Sequence, residues 1–86
     1  MAKIRMYATA YCPYCHRAEQ LLKSKGVKEV ETLRVDLEPQ LRAEMITRTG
    51  RRTVPQIYVG DTHVGGCDDL FALERAGQLD VLLTQP

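Results

Sequence analysis

The fold is decided by the stretch Cys12-Pro13-Tyr14-Cys15, which lies between a strand-like run and a helical run. The strand-like run, residues 4–8, places alternate apolar side chains on one face. The helical run, residues 17–25, has apolar side chains at helical spacing and ends at Gly26. The two cysteines therefore lie where a strand leads into the N-terminus of a helix.

This position predicts chemistry for the two thiols. Cys12 aligns with the N-cap, Pro13 with the first helical position and Cys15 with the third. A thiolate on Cys12 would accept hydrogen bonds from the free N–H groups of Tyr14 and Cys15 and would face the positive end of the helix dipole. Both effects lower a thiol pKa, and the thiolate is the reactive form. Because side chains one turn apart come within disulfide reach, the pair suits a reversible dithiol.

Length and composition limit the classes of protein to consider. A chain of 86 residues predicts one small domain, residues 1–86. A net charge of +1 gives no reason to expect nucleic-acid or membrane-surface binding, and the apolar runs are too short to span a bilayer. Three cysteines, an odd number, do not form a secreted disulfide framework, so we expect the reducing cytoplasm.

The pattern along the whole chain predicts an α/β fold. Strands are expected at residues 3–8, 32–37, 56–59 and 62–64, and the further helices at 38–49, 68–76 and 78–83. A helix between the first two strands makes them parallel, and the turn at Gly60-Asp61 makes the last two a hairpin. The order β-α-β-α-β-β-α gives a mixed four-stranded sheet flanked by helices.

Three motifs together resemble the glutaredoxins, a family of the thioredoxin superfamily. They are Cys12-Pro13-Tyr14-Cys15, then Thr53-Val54-Pro55, then Gly65-Gly66-Cys67-Asp68-Asp69. The likeness covers essentially the whole chain, and its size and motifs are most similar to the bacterial glutaredoxin 3 type. It implies a thioredoxin fold with a cis peptide bond before Pro55, the kind of bond at which cis costs least.

The resemblance also implies an activity, a glutathione-dependent thiol–disulfide oxidoreductase. Cys12 is then the nucleophile and Cys15 the resolving thiol, acting on protein disulfides and on mixed disulfides with glutathione. Glutathione is the co-substrate, and no cofactor is tightly bound. The implied partners are disulfide-containing or glutathionylated proteins, with ribonucleotide reductase as one candidate, and the chain is a monomer.

A glutathione site follows from the same resemblance. The Val54 backbone would pair with glutathione as a sheet edge pairs with an added strand. The start of the third helix would bind the γ-glutamyl carboxylate, Asp68 or Asp69 its ammonium group, and Arg51, with Gln56 as a further candidate, the glycyl carboxylate. The full implied set is Tyr14, Arg51, Thr53, Val54, Pro55, Gly66, Cys67, Asp68 and Asp69.

One residue departs from the family pattern. Many glutaredoxins have a lysine three residues before the first cysteine, where this chain has Thr9. The missing cation predicts weaker glutathione binding or a less depressed pKa of Cys12. Arg17, Arg51 and Arg52 are candidates to compensate.

Other interpretations of the cysteines stay open. A closed zinc site needs four ligands, and only Cys67, His16 and His63 remain to complete it. A [2Fe–2S] carrier with glutathione in a dimer is typical of Cys-Gly-Phe-Ser glutaredoxins, and Pro13 and Cys15 argue against it. The third alternative is a thioredoxin-like reductant served by a flavoprotein reductase.

Single residues also have plainer interpretations. Cys67 is expected to be a small, partly buried residue beside the site. His16 and His63 are expected to be polar surface residues. Asp68 and Asp69 could be helix caps, Tyr14 an exposed aromatic residue, and Arg51 part of a solvated loop.

Overall fold

The chain folds into a mixed sheet with helices on both faces. The computed structural model describes residues 2–85. The elements in chain order are β1 (Ile4–Ala8), α1 (Pro13–Ser24), β2 (Val30–Arg34), α2 (Pro39–Thr49), β3 (Gln56–Val59), β4 (Thr62–Gly65), α3 (Cys67–Arg75) and α4 (Leu79–Leu83). Within residues 2–85, no helix combines the length and apolar character that crossing a bilayer would require.

The strands lie in the order β2-β1-β3-β4. β1 pairs in parallel with β2 and antiparallel with β3, and β3 pairs antiparallel with β4. The predicted parallel βαβ unit and the predicted hairpin are therefore confirmed. β1 is a central strand and runs antiparallel to β3. The carboxyl end of β1 and the start of α1 therefore lie next to the segment that precedes β3.

Each face of the sheet covers its own cluster of buried side chains. Ile4, Met6 and Ala8 of β1 share one face, as predicted, and pack with buried residues of α1, α3 and α4. Tyr7 points to the opposite face, where it packs with Val35 and with Met45 of α2. The alternation of β1 thus separates a larger cluster from a smaller one.

The second strand was predicted at the wrong place. β2 covers Val30–Arg34, not residues 32–37. The Val35 N–H still donates to the Ala8 carbonyl, but the N–H groups of Leu37 and Glu38 then turn back to the Arg34 carbonyl. The alternation continues past the end of the strand into this turn, and Leu37 is consequently exposed.

The other predicted boundaries agree with the structure to within one or two residues. α1 begins at Pro13 with Cys12 as its N-cap. α2 begins at Pro39 and ends before Gly50, which has the left-handed φ of 70° and donates its N–H to the Ile46 carbonyl at 2.8 Å.

Candidate active site

The first turn of α1 holds both active-site sulfurs. Cys12 has an extended backbone at the N-cap, and its Sγ accepts a hydrogen bond from the Cys15 N–H at 3.1 Å. Of the two backbone donors expected, the structure places the Cys15 N–H in hydrogen-bonding position. This amide is one that a helix start leaves unpaired, so the fold itself supplies a donor to the sulfur.

The two cysteines differ in access. They form a disulfide, with Cα atoms 5.2 Å apart. Cys12 is half-buried, whereas Cys15 is only 5% exposed and belongs to the larger core cluster. An incoming molecule can therefore reach Cys12 and not Cys15.

The loop before β3 lies against Cys12. The Val54–Pro55 peptide bond is cis, as the resemblance implied. The Val54 carbonyl oxygen lies 4.0 Å from Cys12 Sγ, and the Val54 side chain packs against both core clusters. The backbone of this loop is thereby fixed beside the sulfur.

A groove of about 220 Å³ continues from this loop to the start of α3. The nine residues that the resemblance implied all line it, and Gln56 is the tenth lining residue. The structure thus brings together Arg51 and the expected residues of three separate motifs. Tyr14 is exposed at its edge, and Pro55 is buried beneath it.

Asp69 and Arg51 form an ion pair inside the groove. Arg51 Nη1 lies 2.9 Å from Asp69 Oδ2, and the same oxygen accepts the Gly66 N–H at 2.9 Å. This N–H bond and the Arg51 guanidinium lower the pKa of Asp69. Asp69 therefore caps α3 from its third position, whereas Asp68 is exposed.

Cys67 lines the groove but is largely buried. It is 6% exposed and belongs to the larger core cluster. Burial raises the pKa of its thiol, so the sulfur stays protonated at neutral pH. Cys67 was expected to be a small, partly buried residue beside the site, and the structure buries it more completely than that.

Of the three arginines expected to compensate for the missing lysine, Arg51 lines the groove, Arg17 lies against α3 and Arg52 is exposed. Arg17 stacks over the Phe71 ring with its guanidinium carbon 5.5 Å from the centroid, and Arg51 is paired with Asp69. Arg34, which the sequence did not single out, lines a second cavity of about 230 Å³ together with Thr9 and Cys12. Its guanidinium is held by Asp36 at 2.6 Å.

Sequence reasoning also missed a hydrogen-bonded pair behind the groove. His63 Nε2 lies 2.8 Å from Gln56 Oε1, and Gln56 Nε2 donates to the Thr53 carbonyl at 2.9 Å. The predicted β3–β4 hairpin could have indicated this pair, because residues on the same face of two paired strands are neighbours. His63 is opposite Tyr58, and Gln56 is two residues before Tyr58 on the same strand.

The region from residue 2 to residue 85 contains side chains of the types that bind metal ions. No three side chains among its histidines, cysteines, aspartates and glutamates are grouped so that they could hold a metal ion. A disulfide-forming cysteine pair at a helix start, on a mixed four-stranded sheet flanked by helices, is typical of a thiol–disulfide oxidoreductase with the thioredoxin fold.

Comparison with known proteins gives the family. Residues 4–64 match the glutaredoxin family model. The chain is 57% identical over 84 residues to the glutaredoxin of Pseudomonas aeruginosa, covering 98% of this chain and 99% of that one. It is 54% identical over 83 residues to glutaredoxin 3 of Escherichia coli strain K12, covering 96% and 99%.

A solved structure agrees with this result. The crystal structure of a buckwheat glutaredoxin–glutathione complex superposes with a TM-score of 0.88 at 32% identity, covering 96% of this chain and 77% of that chain. The chain belongs to the glutaredoxin family, whose members are glutathione-dependent thiol–disulfide oxidoreductases. The resemblance and the thioredoxin fold predicted from the sequence are confirmed.

Proposed function

We propose that Cys12 is the nucleophile and Cys15 the resolving thiol of a reductase for glutathione mixed disulfides and protein disulfides. The observation that carries this assignment is that Cys12 is half-buried, whereas Cys15 is buried, and that Cys12 Sγ accepts the Cys15 N–H at 3.1 Å. A hydrogen bond to the charged form favours the thiolate, and the helix dipole acts in the same direction. Cys15 is buried one turn inside, so it is proposed to react only with Cys12 Sγ, once that sulfur is part of a mixed disulfide.

Glutathione is proposed to lie along the groove with its cysteine beside Cys12. Its extended backbone pairs with the N–H and C=O of Val54, whose carbonyl lies 4.0 Å from Cys12 Sγ. Thr53, Pro55 and Tyr14 also line the groove, and Tyr14 belongs to the first turn of α1. The groove volume of about 220 Å³ suits one short peptide lying in the open cleft.

The two charged ends of glutathione are proposed to bind at the far parts of the groove. The γ-glutamyl carboxylate meets the N–H groups at the start of α3, at Gly66 and Cys67. Its ammonium group meets Asp68 or Asp69. Asp68 is exposed with no partner to displace among the described residues, whereas Asp69 already accepts two donors. Arg51 meets the glycyl carboxylate.

The monothiol route then has two exchange steps. The Cys12 thiolate attacks the glutathionyl sulfur of a mixed disulfide, so that a Cys12–glutathione disulfide forms and the target leaves as a thiolate that takes up a proton. A second glutathione thiolate attacks the glutathionyl sulfur of the adduct and forms oxidised glutathione. Cys12 leaves as its thiolate, and a low-pKa thiol is a good leaving group.

The dithiol route uses Cys15 as well. Cys12 attacks a protein disulfide and releases one protein thiol, which leaves a mixed disulfide between Cys12 and the target. Cys15 loses its proton and attacks Cys12 Sγ, which releases the second thiol and forms the Cys12–Cys15 disulfide. Two glutathiones restore the dithiol and become oxidised glutathione.

Separate serine variants test these roles. Cys12→Ser is expected to abolish both routes, whereas Cys15→Ser is expected to lose only the turnover of protein disulfides. Brief exposure of Cys15→Ser to oxidised glutathione, followed by peptide mapping, should show one glutathionyl adduct on Cys12 that reduced glutathione removes. Turnover of a glutathionylated peptide by Cys12→Ser, or an adduct mainly on Cys67, would contradict the assignment.

The remaining properties are proposed for the whole chain. It works as a single domain and a monomer, without a tightly bound cofactor, in the reducing cytoplasm, and without binding nucleic acid or membranes. Glutathionylated and disulfide-containing proteins are its partners, and ribonucleotide reductase is one candidate. Light scattering of the reduced protein with glutathione should give the mass of one chain. Visible absorbance after anaerobic purification would indicate a bound [2Fe–2S] cluster and contradict the proposal that no cofactor is tightly bound.

A further inference from the structure

Gln56 carries a buried polar side chain behind the glutathione groove. It is 1% exposed, and both ends of its amide have partners. The Nε2 donates to the Thr53 carbonyl at 2.9 Å and lies 3.4 Å from Thr53 Oγ1, and the Oε1 contacts His63 Nε2 at 2.8 Å. A buried amide left without such partners would be costly, so this arrangement is held firmly.

The direction of each hydrogen bond follows from the chemistry of the groups. A carbonyl only accepts, so the Gln56 end that faces Thr53 is the NH₂ group. The other end is then the amide oxygen, which also only accepts, and His63 must donate. His63 therefore carries its proton on Nε2.

The surroundings of His63 keep its ring neutral, with one proton, at neutral pH. Burial and the positive charge of Arg51 lower the pKa of His63, and the carboxylate of Asp69 opposes this with a smaller effect. The ring is therefore neutral at pH 7, with one proton and a single donor. Its orientation is fixed by Tyr58, whose ring centroid lies 5.1 Å away.

We infer that His63 and Gln56 form a positioning relay, in which His63 on β4 orients the Gln56 amide and Gln56 holds the Thr53 carbonyl. Thr53 is exposed and directly precedes Val54, the residue proposed to pair with glutathione. Because the Thr53 carbonyl is hydrogen-bonded to Gln56, the loop keeps the backbone groups of Val54 directed toward the groove. The inference rests on the proposed function, because the relay is inferred to position the proposed glutathione-binding loop.

The relay is expected to act on binding rather than on the chemical step. It touches neither sulfur, and the loop it holds contacts the peptide backbone of the substrate equally before and during exchange. Loss of such uniform binding raises KM and leaves kcat unchanged. Losing one hydrogen bond in the relay should raise KM for a glutathionylated peptide about 2- to 10-fold.

Two substitutions at His63 separate the hydrogen bond from packing. His63→Leu removes the donor and keeps much of the side-chain volume, so KM should rise with kcat within about twofold of the wild type. His63→Gln places an amide N–H near the former Nε2 and should restore most of the wild-type KM. Thr62→Val, an exposed neighbour on the same strand, is the control and should leave both constants unchanged.

A measurement on the unaltered protein keeps the test independent of variant folding. Nitrogen-15 NMR of the imidazole should show the Nε2–H tautomer of His63 at pH 7. The Nδ1–H tautomer would overturn the relay. So would a wild-type KM in His63→Leu, or equal losses in His63→Leu and His63→Gln.

Failure of the relay is distinguishable from failure of the proposed function. If the wild type does not turn over the glutathionylated peptide with glutathione, or if Cys12→Ser does, the proposed function fails, and the relay falls with it. If the wild type turns over and His63→Leu matches it in both constants, the relay alone is wrong.

Discussion

Gly65 shows how one residue can protect the shape of a site. Its φ is +116°, a conformation that side chains disfavour. A Cβ at this position would press on the Asp69 carboxylate and lie 3.1 Å from Arg51 Nη1. Glycine here therefore lets Asp69 reach both the Gly66 N–H and Arg51.

Gly65→Ala is expected to lower the free energy of unfolding by about 1–3 kcal/mol and to raise KM for a glutathionylated peptide, because Asp69 must give up its partners. Gly77→Ala is the matched control. Gly77 also has a positive φ, 73°, but open space around it. It should lose stability only through its backbone and keep the wild-type KM. Urea unfolding and steady-state kinetics measure both, and equal behaviour of the two variants would refute the role of Asp69.

Tyr7 joins two elements, β1 and α2. It is 1% exposed, and its hydroxyl donates to Glu44 Oε2 at 2.6 Å. Burial, followed by this hydrogen bond, raises the pKa of Tyr7 to about 12. The folded chain therefore holds this proton more tightly than the unfolded chain, where tyrosine titrates near a pKa of about 10.

This link predicts a pH dependence. The contribution of Tyr7 to stability is complete below pH of about 10 and is lost as the pH rises toward 12. Tyr7→Phe should lower the free energy of unfolding by about 0.5–1.5 kcal/mol at pH 8. The difference in free energy of unfolding between the wild type and Tyr7→Phe should shrink at pH 11, since only the wild type loses stability by ionising this hydroxyl. Urea unfolding at both values measures it, and a gap that is constant with pH would contradict the assignment.

What the sequence could predict about these elements depends on the distance between partners. The start of α1 follows from adjacent residues, because an N-cap, a proline and a helical repeat act within one turn. The end of β2 does not, since the turn after Arg34 is fixed partly by Asp36, which accepts the Ala10 N–H across the sheet edge at 3.2 Å. The alternation of side chains continues through this turn and carries no sign of it.

The candidate site divides in the same way. The resemblance supplied its nine lining residues as a set, because all but Arg51 lie in one of three short motifs. The Arg51–Asp69 pair joins residues 18 apart in sequence, and no single motif indicates it. His63 and Gln56 become neighbours only once the register of the β3–β4 hairpin is known, including the shift between Ile57 and Tyr58.

At the scale of the whole molecule, the two faces of the sheet depend on each other. The larger cluster includes Leu70 and the smaller one Met45, both fully buried, and Val54 packs against both. The residue proposed to seat glutathione thus also joins the two halves of the core. This arrangement supports the prediction of a single domain.

Cooperative unfolding tests that prediction. Leu70→Ala and Met45→Ala should each lower the free energy of unfolding by about 2–5 kcal/mol, a large part of the total for a small domain. In each variant, far-ultraviolet circular dichroism, which follows the helices, and near-ultraviolet signals, which follow the tyrosines of the smaller cluster, should change at one urea concentration. Separate transitions in Met45→Ala would show that the two faces fold independently.

The hydrogen bond by which Cys12 Sγ caps α1 also links the reduction potential of the cysteine pair to the folding equilibrium. Folded and unfolded, reduced and oxidised forms of the chain compose a closed thermodynamic cycle, and the Cys15 N–H meets the Cys12 sulfur only in the folded forms. Every 1.4 kcal/mol by which folding favours the reduced dithiol raises its two-electron potential by about 30 mV. A substitution that loosens the first turn of α1 would therefore make the chain a stronger reductant while both cysteines remain in place. We therefore expect the reduction potential of this protein to depend on the first turn of α1 as well as on its two sulfur atoms.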